Sequence, residues 1–295
     1  MPTIFSQARE WDIDIDRYLN RIVPASPLHR LPAPVSRFLG YRAPTTTAGQ
    51  QDDVGNVMGA LWSLLGAFCG LAVVAVVFGG MESIRVHRPP ALIASFGASA
   101  ILEYNSIRSP LGQPRNALLG HTFSALIGVG IAKLFQHHGD YEGARWVAGA
   151  VACGCASAVM LVTNTVHPPG GASAVLAATD PVIMAMGWYF VGLVMWGTTL
   201  MLVVGLVVNN VQRQFPVYWW TPMDLRRARR IEINGVEVLV PRDLGLSGEE
   251  ERVLSGLRAR LRKRGDGEME MDSGRSSAEV TVVSSRGGSA RIAGV

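Results

Sequence analysis

Charged side chains are scarce in this chain. Asp, Glu, Lys and Arg make up 17% of its 295 residues, against roughly a quarter in ordinary soluble domains. Between Val57 and Val208 they are few and lie mostly in short polar breaks, which is unlike a solvated globular surface. Cysteine is scarcer still. Cys69, Cys153 and Cys155 are the three, all in apolar surroundings, so a disulfide-framed secreted fold is excluded. Cys153 and Cys155, two apart, point to different sides of a helix and read as small apolar side chains rather than a metal pair. No Walker loop, no Gly-x-Ser-x-Gly and no His-Glu-x-x-His occurs, so nothing points to an enzyme. No cofactor and no metal is expected. The N-terminus has no basic stretch leading into an apolar core, and Glu10, Asp12, Asp14 and Asp16 are wrong for a transit peptide, so no cleaved leader is expected.

What the chain does have is long apolar runs. It is 48% hydrophobic, concentrated from Val57 to Val208 as Ala, Val, Leu, Gly and Met. A hydrocarbon core of about 30 Å needs roughly 20 helical residues, and Val57–Gly79, Ala117–Phe135, Trp146–Thr163 and Val182–Val208 are of that order. The last is long enough to tilt or to extend past the interface. Two shorter apolar segments, Pro89–Glu103 and Pro168–Asp180, suit re-entrant or half-helices. The expected fold class is an all-α membrane protein with about four full transmembrane helices and two short Pro/Gly-broken helices. The transmembrane core covers 55–210, with halves at about 57–135 and 146–208. Residues 1–50 are a polar flank in which Trp11, Ile15, Tyr18 and Ile22 recur at helical spacing. That flank is either a short amphipathic helix or a loosely ordered tail. The protein is expected to be integral to a membrane, multi-pass, and in contact with the lipid bilayer.

The two short segments repeat each other. Gly97-Ala98-Ser99-Ala100-Ile101-Leu102 returns as Gly171-Ala172-Ser173-Ala174-Val175-Leu176, an offset of 74 positions. Each copy follows a proline pair, His87-Arg88-Pro89-Pro90 in one case and His167-Pro168-Pro169 in the other, and each precedes a further proline, Pro110 or Pro181. Paired Gly/Pro-interrupted segments in two halves point to a transporter's binding site. Proline stops a helix and glycine lets backbone approach a ligand, so each helix is expected to restart near Gly97 and Gly171. Two such N-termini facing one another present unpaired N–H groups and positive dipole ends, an anion site. Four full spans with two re-entrant segments would leave the halves in one orientation; if the short segments cross, there are six spans and the halves are inverted.

The candidate substrate-binding residues are therefore Ser99, Arg115, Asn116, Asn164, His167, Gly171 and Ser173. Arg115 offers a fixed positive charge, or else snorkels to headgroups. Ser99 and Ser173 offer hydroxyl donors, or else mark close helix packing. His121, His167 and Glu103 are the candidates for proton coupling. His121 alternatively bonds a carbonyl, and Glu103, whose counterpart is Ala177, alternatively pairs with Arg108 or Arg115.

The tail differs in character. Ile231-Glu232-Ile233-Asn234-Gly235-Val236-Glu237-Val238 alternates around Asn-Gly, a hairpin signal. Ser247 and Glu250 fit a capping box opening a helix to about Arg264 with an apolar stripe and arginine-rich faces. Hairpin and helix, 224–264, form a small soluble unit, and 265–295 has the composition of a disordered tail. Arg226, Arg227, Arg229 and Arg230 just past the last span mark the termini as cytoplasmic. Tyr218, Trp219 and Trp220 suit an interfacial anchor. The net charge of +4 comes with no nucleic-acid-binding motif, so nucleic acid is not an expected partner.

Asn164-Thr165-Val166-His167-Pro168-Pro169-Gly170-Gly171-Ala172-Ser173 resembles the signature of the HPP family of integral membrane proteins. Ser109-Pro110-Leu111-Gly112-Gln113-Pro114-Arg115-Asn116 and Phe96-Gly97-Ala98-Ser99-Ala100 extend the resemblance over roughly 55–210. Asp14-Ile15-Asp16-Arg17-Tyr18-Leu19-Asn20 and Phe38-Leu39-Gly40-Tyr41-Arg42 are similar to fungal members. The resemblance implies a small membrane protein of about four spans acting as a transporter; nitrite movement across plastid membranes is the activity associated with plant members. The expected function is thus a transporter or channel for a small anion, nitrite or nitrate, with a homo-oligomer a natural arrangement for so small a chain. The alternative is a membrane scaffold or sensor working through its basic tail.

Overall fold

The computed structural model describes residues 15–42 (21 and 25 apart), 54–222 (138 apart), 228–233, 236–241 and Arg252. The chain divides into two units, Met1–Arg226 and Arg227–Val295. In the second, strands β1 (Ala228–Ile233) and β2 (Val236–Pro241) pair antiparallel, with Ile233 opposite Val236. Asn234, Gly235, the basic helix from Ser247 and the 265–295 tail lie outside the described residues.

The first unit is helical. Six elements make its body: α1 (Asn56–Gly80), α2 (Ala94–Ala100, continuing as a π-helical stretch Ile101–Asn105), α3 (Pro114–Phe135), α4 (Tyr141–Val162), α5 (Pro168–Thr179) and α6 (Tyr189–Asn209). Four of them, α1, α3, α4 and α6, are long and apolar enough to cross a membrane. Their outer faces stay apolar, with Leu64, Phe68, Val76, Leu161 and Val203 exposed, which suits contact with lipid. Proline takes the first helical position of α3 and α5, where its missing N–H costs nothing, and the Asp140 side chain accepts from the Gly143 N–H to start α4.

The expectation of one span over Val182–Val208 needs correction. Gly187 adopts φ +54°, a conformation that favours glycine. The chain breaks there into a short helix Pro181–Met186, capped by Asp180, followed by α6. In the N-terminal flank the helix at the expected amphipathic stretch is a single turn, Asp16–Leu19, followed by a 3-10 turn Pro27–Arg30 and a short helix Ala33–Phe38; Trp11 lies outside the described residues.

Contacts fix the direction of each element. Phe96 in α2 meets Phe78 near the end of α1, whereas Tyr104 lies against Gly66 and Gly70, and Asn105–Ser109 share a pocket with Val54 and Asn56 at the start of α1. The short α2 and its π stretch thus run antiparallel to α1, back to its starting end. The α6 helix leaves the far end, where Tyr189 donates to the Ser83 carbonyl, and returns with Asn209 donating to the Glu103 carbonyl. Arg115 at the start of α3 reaches the Thr163 carbonyl just past α4, and Tyr141 at the start of α4 reaches the Ala178 carbonyl near the end of α5. The chain therefore passes between the two ends of the bundle six times, in alternating directions.

The sequence repeat is a structural repeat. The segment 94–105 corresponds to 168–179, and 114–135 to 188–209, at the same offset of 74 and with helix starts agreeing to within one residue. Three passes per half make the second half inverted relative to the first. Close approach of α3 and α5 depends on small residues. A Cβ on Gly128 would fall 2.6 Å from the Ala174 carbonyl oxygen, and one on Gly170 2.8 Å from that of Gly120.

Candidate functional site

Each short helix begins three residues before the glycine expected to open it, at Ala94 and at Pro168. This changes the chemistry. Pro168 and Pro169 carry no N–H, and the Gly170 N–H is spent on the His167 carbonyl at 2.8 Å, so the start of α5 lacks the free donors an anion would need. Ser99 and Ser173 sit inside their helices.

What the two helices build instead is a crossing of hydroxyls and imidazoles. Because α2 and α5 run antiparallel, Ser99 meets the start of α5 and Ser173 meets the start of α2. Ser99 Oγ lies 3.0 Å from His167 Nε2, and Ser173 Oγ donates to Ser95 Oγ at 2.8 Å. His167 Nδ1 lies 2.7 Å from the Leu111 carbonyl oxygen. A carbonyl only accepts, so Nδ1 carries a proton, and in the neutral ring Nε2 accepts from the Ser99 hydroxyl. His121 of α3 sits edge-on to His167, with ring centroids 4.7 Å apart, and its Nδ1 is 2.8 Å from Thr198 Oγ1 of α6. Its Nε2 makes no hydrogen bond of normal geometry, although the Pro169 carbonyl lies beside it. The Phe96 ring covers His121 from the side. Ser95, Ser99, Ser173, His121, His167 and Thr198 are all at most 1% exposed. Four helices thus converge on one buried polar knot in the body of the bundle.

Of the sequence candidates, this knot gathers Ser99, Ser173, His167 and His121. It does not gather the others. Arg115 sits at the end of the bundle, where its guanidinium pairs with Asp16 at 2.5 Å, donates to the Thr163 carbonyl at 3.0 Å and to the Trp220 carbonyl at 3.3 Å, and stacks 4.4 Å over the Trp220 ring. It is a clamp between the flanks and the core, and it supplies no fixed charge to the knot. Asn116 donates to the Val166 carbonyl. Asn164 occupies an exposed left-handed position, φ +52°, and Gly171 lies on the α4 side, nearest Cys153.

Glu103 is separate again. It is fully buried, and both carboxyl oxygens lack a hydrogen-bond partner; neither Arg108 nor Arg115 forms the pair considered from sequence. Its π-helical stretch is held by Tyr104, whose hydroxyl donates to the Met201 carbonyl at 2.9 Å, and by Asn209 and Arg213, which donate to the carbonyls of Glu103 and Tyr104. The polar pocket next to it, about 490 Å³, is lined among others by Asn56, Asn105, Ser106, Arg108 and Arg213. Among the described residues no group of three metal-ligating side chains comes together.

Sequence reasoning missed Ser95 and Thr198. Ser95 had a signal: with Ser99 and Glu103 it forms an i, i+4, i+8 series on one helical face. Thr198 is a polar residue deep in an apolar run, and only the fold shows which side it faces.

Residues 52–216 match the family described as HPP, transmembrane region. Two curated transmembrane proteins of Dictyostelium discoideum are similar. One is 36% identical over 163 residues, 54% of this chain and 55% of that protein; the other is 37% identical over 164 residues, 54% of this chain and 50% of that protein. The chain spans about half the length of the curated relatives it matches. No solved structure matches.

Proposed function

From the premise that this chain belongs to the HPP transmembrane family, we propose that it is a transporter moving a small monovalent oxyanion, such as nitrite or nitrate, through the serine–histidine knot. The observation that carries this reading is the knot itself. An inverted pair of short helices crosses in the body of a membrane bundle, and the crossing is lined by hydroxyl and imidazole groups with no fixed charge. Polar groups at membrane depth are costly and mark pathways for polar solutes, and inverted repeats with broken helices are the architecture in which such sites alternate between two sides. In the closed knot the Ser99 and Ser173 hydroxyls donate to His167 Nε2 and Ser95 Oγ, so they become donors to a small anion only when the knot opens and those bonds are exchanged. The arrangement described is closed to both ends, so passage requires the halves to move. The basic residues after α6 favour cytoplasmic termini.

The test is uptake of nitrite, nitrate, chloride and formate into vesicles holding the purified full-length protein, measured against protein-free vesicles. Saturable uptake of one anion is expected. Ser99→Ala removes one hydrogen bond to a charged solute, worth about 1.5–3 kcal/mol and so about tenfold or more in affinity, and His167→Gln, which removes the ring that holds the Ser99 hydroxyl in the closed knot, is expected to alter uptake as well. Uptake equal to wild type in both variants places the pathway elsewhere, and no uptake of any anion removes anion transport as the function.

A further inference from the structure

Glu103 is the buried group that the proposed anion pathway does not use. Its carboxyl is 0% exposed, with both oxygens unpartnered, inside a lipid-embedded bundle. A charged carboxylate with no protein donor or cation beside it is costly at such a place, and an intramembrane ionisable residue marks function. The group is tolerated as the neutral acid, a carboxyl holding its proton. Three further observations give that proton a role. First, Glu103 continues the face of α2 that carries Ser95 and Ser99, the two serines bonded to Ser173 and His167. Second, it lies in a five-residue π stretch, a local distortion often found where function demands it. Third, two positions further along, Asn105 and Ser106 line the polar pocket at the end of the bundle where α1 starts, so a small opening of that end would bring water to the carboxyl.

We propose that Glu103 carries a proton in step with the transported anion, making transport a proton–anion symport; this rests on the transport reading above. The carboxylate takes up one proton from water when the bundle opens on one side. The O–H bond persists while the group is enclosed, and the proton returns to water when the bundle opens on the other. No other bond changes. One proton and one monovalent anion together move no net charge. Among the described residues, the titratable and charged groups around the stretch are Cys69 on α1 and Tyr104 in the stretch itself, which interact with one another, Arg213 past the end of α6, and Arg108 on the wall of the pocket. From α6 itself the neutral Asn209 and the Met201 carbonyl approach. His121 and His167 lie further along the interior, in the knot.

The experiment uses the full-length protein in vesicles with nitrate as the probe, because its strong parent acid does not carry it across a bilayer as a neutral molecule. Two readouts are taken from wild type and Glu103→Gln: accumulation driven by an imposed pH gradient, and exchange of labelled for unlabelled nitrate without a gradient. For one proton per anion, a gradient of one pH unit drives at most about tenfold accumulation in wild type. Glu103→Gln is expected to lose the accumulation and keep the exchange, since glutamine replaces the neutral acid in shape but holds no mobile proton; retained exchange also shows the variant is folded. Accumulation by Glu103→Gln equal to wild type overturns the proposal. So does wild-type exchange that is indifferent to the gradient, and so does loss of both readouts in Glu103→Gln, which would make the carboxyl a requirement of motion rather than of proton movement. Absence of both readouts in wild type is a failure of the transport reading instead.

Discussion

Replacing Gly70 with alanine tests the tie between α1 and the π stretch. A Cβ at Gly70 would land on the Tyr104 hydroxyl and within 2.6 Å of Cζ. Tyr104 is fully buried, lies against Gly66 on the same helix face, and donates to the Met201 carbonyl, so it has no free direction in which to yield. Overpacking of this kind costs about 1–3 kcal/mol. Displacing the hydroxyl from Met201 adds about 1 kcal/mol for the lost hydrogen bond, giving about 2–4 kcal/mol in all. For a domain of this size that is a fall in Tm of roughly 5–15 °C, read by thermal unfolding of the detergent-solubilised protein. Gly79→Ala and Gly154→Ala are the controls, because a Cβ at either meets nothing within 4 Å; both should leave Tm unchanged or slightly raised. Tyr104→Phe removes the atom that the new methyl strikes first, so Gly70→Ala should cost less in that background than alone. If Gly70→Ala melts with Gly154→Ala, Tyr104 does not fill the notch between α1 and the π stretch, and the placement of Glu103 beside it falls too.

Arg115→Ala should release Asp16, the Thr163 carbonyl and the Trp220 ring together, lower Tm, and speed proteolysis within 15–42, while the nitrate concentration for half-maximal uptake stays as in wild type. Arg115→Lys should recover part of the stability, because an ammonium cannot reproduce the forked contacts of a guanidinium; a changed half-maximal concentration in either would return Arg115 to the anion site. Cys155 is exposed on the outer face of α4, and should react with a lipid-soluble maleimide while resisting a charged one in intact vesicles. Equal labelling by both would place that face in water rather than lipid.

The spans were legible because hydrocarbon thickness sets a length that composition reveals directly. The break at Gly187 was not, since a glycine inside an apolar run carries no mark of its φ. Four of the six residues of the knot were legible for a related reason. Ser99, Ser173 and His167 belong to segments that copy each other, and His121 is a lone imidazole in an apolar span; each stands out against its background. Arg115 stood out equally, but its partner Asp16 lies 99 positions away, and the helical spacing of that flank does not say which part of the core it docks on. The direction of α2 and α5 was also hidden. Twelve residues are too few to announce a crossing by hydropathy, and contacts such as Tyr104 against Gly66 and Tyr141 against the Ala178 carbonyl are what reveal where those segments end.

The offset of 74 relates halves that are alike in backbone but not in their polar groups. Glu103 and His121 in the first half stand where the second has Ala177 and Met195, and His167 and Thr198 in the second stand where the first has Ile93 and Ser124. Two identical halves paired upside down would carry each of these groups twice. With both halves in one chain, Glu103 and His167 each stand without a symmetry mate, so the two halves present different chemistry to the same interior.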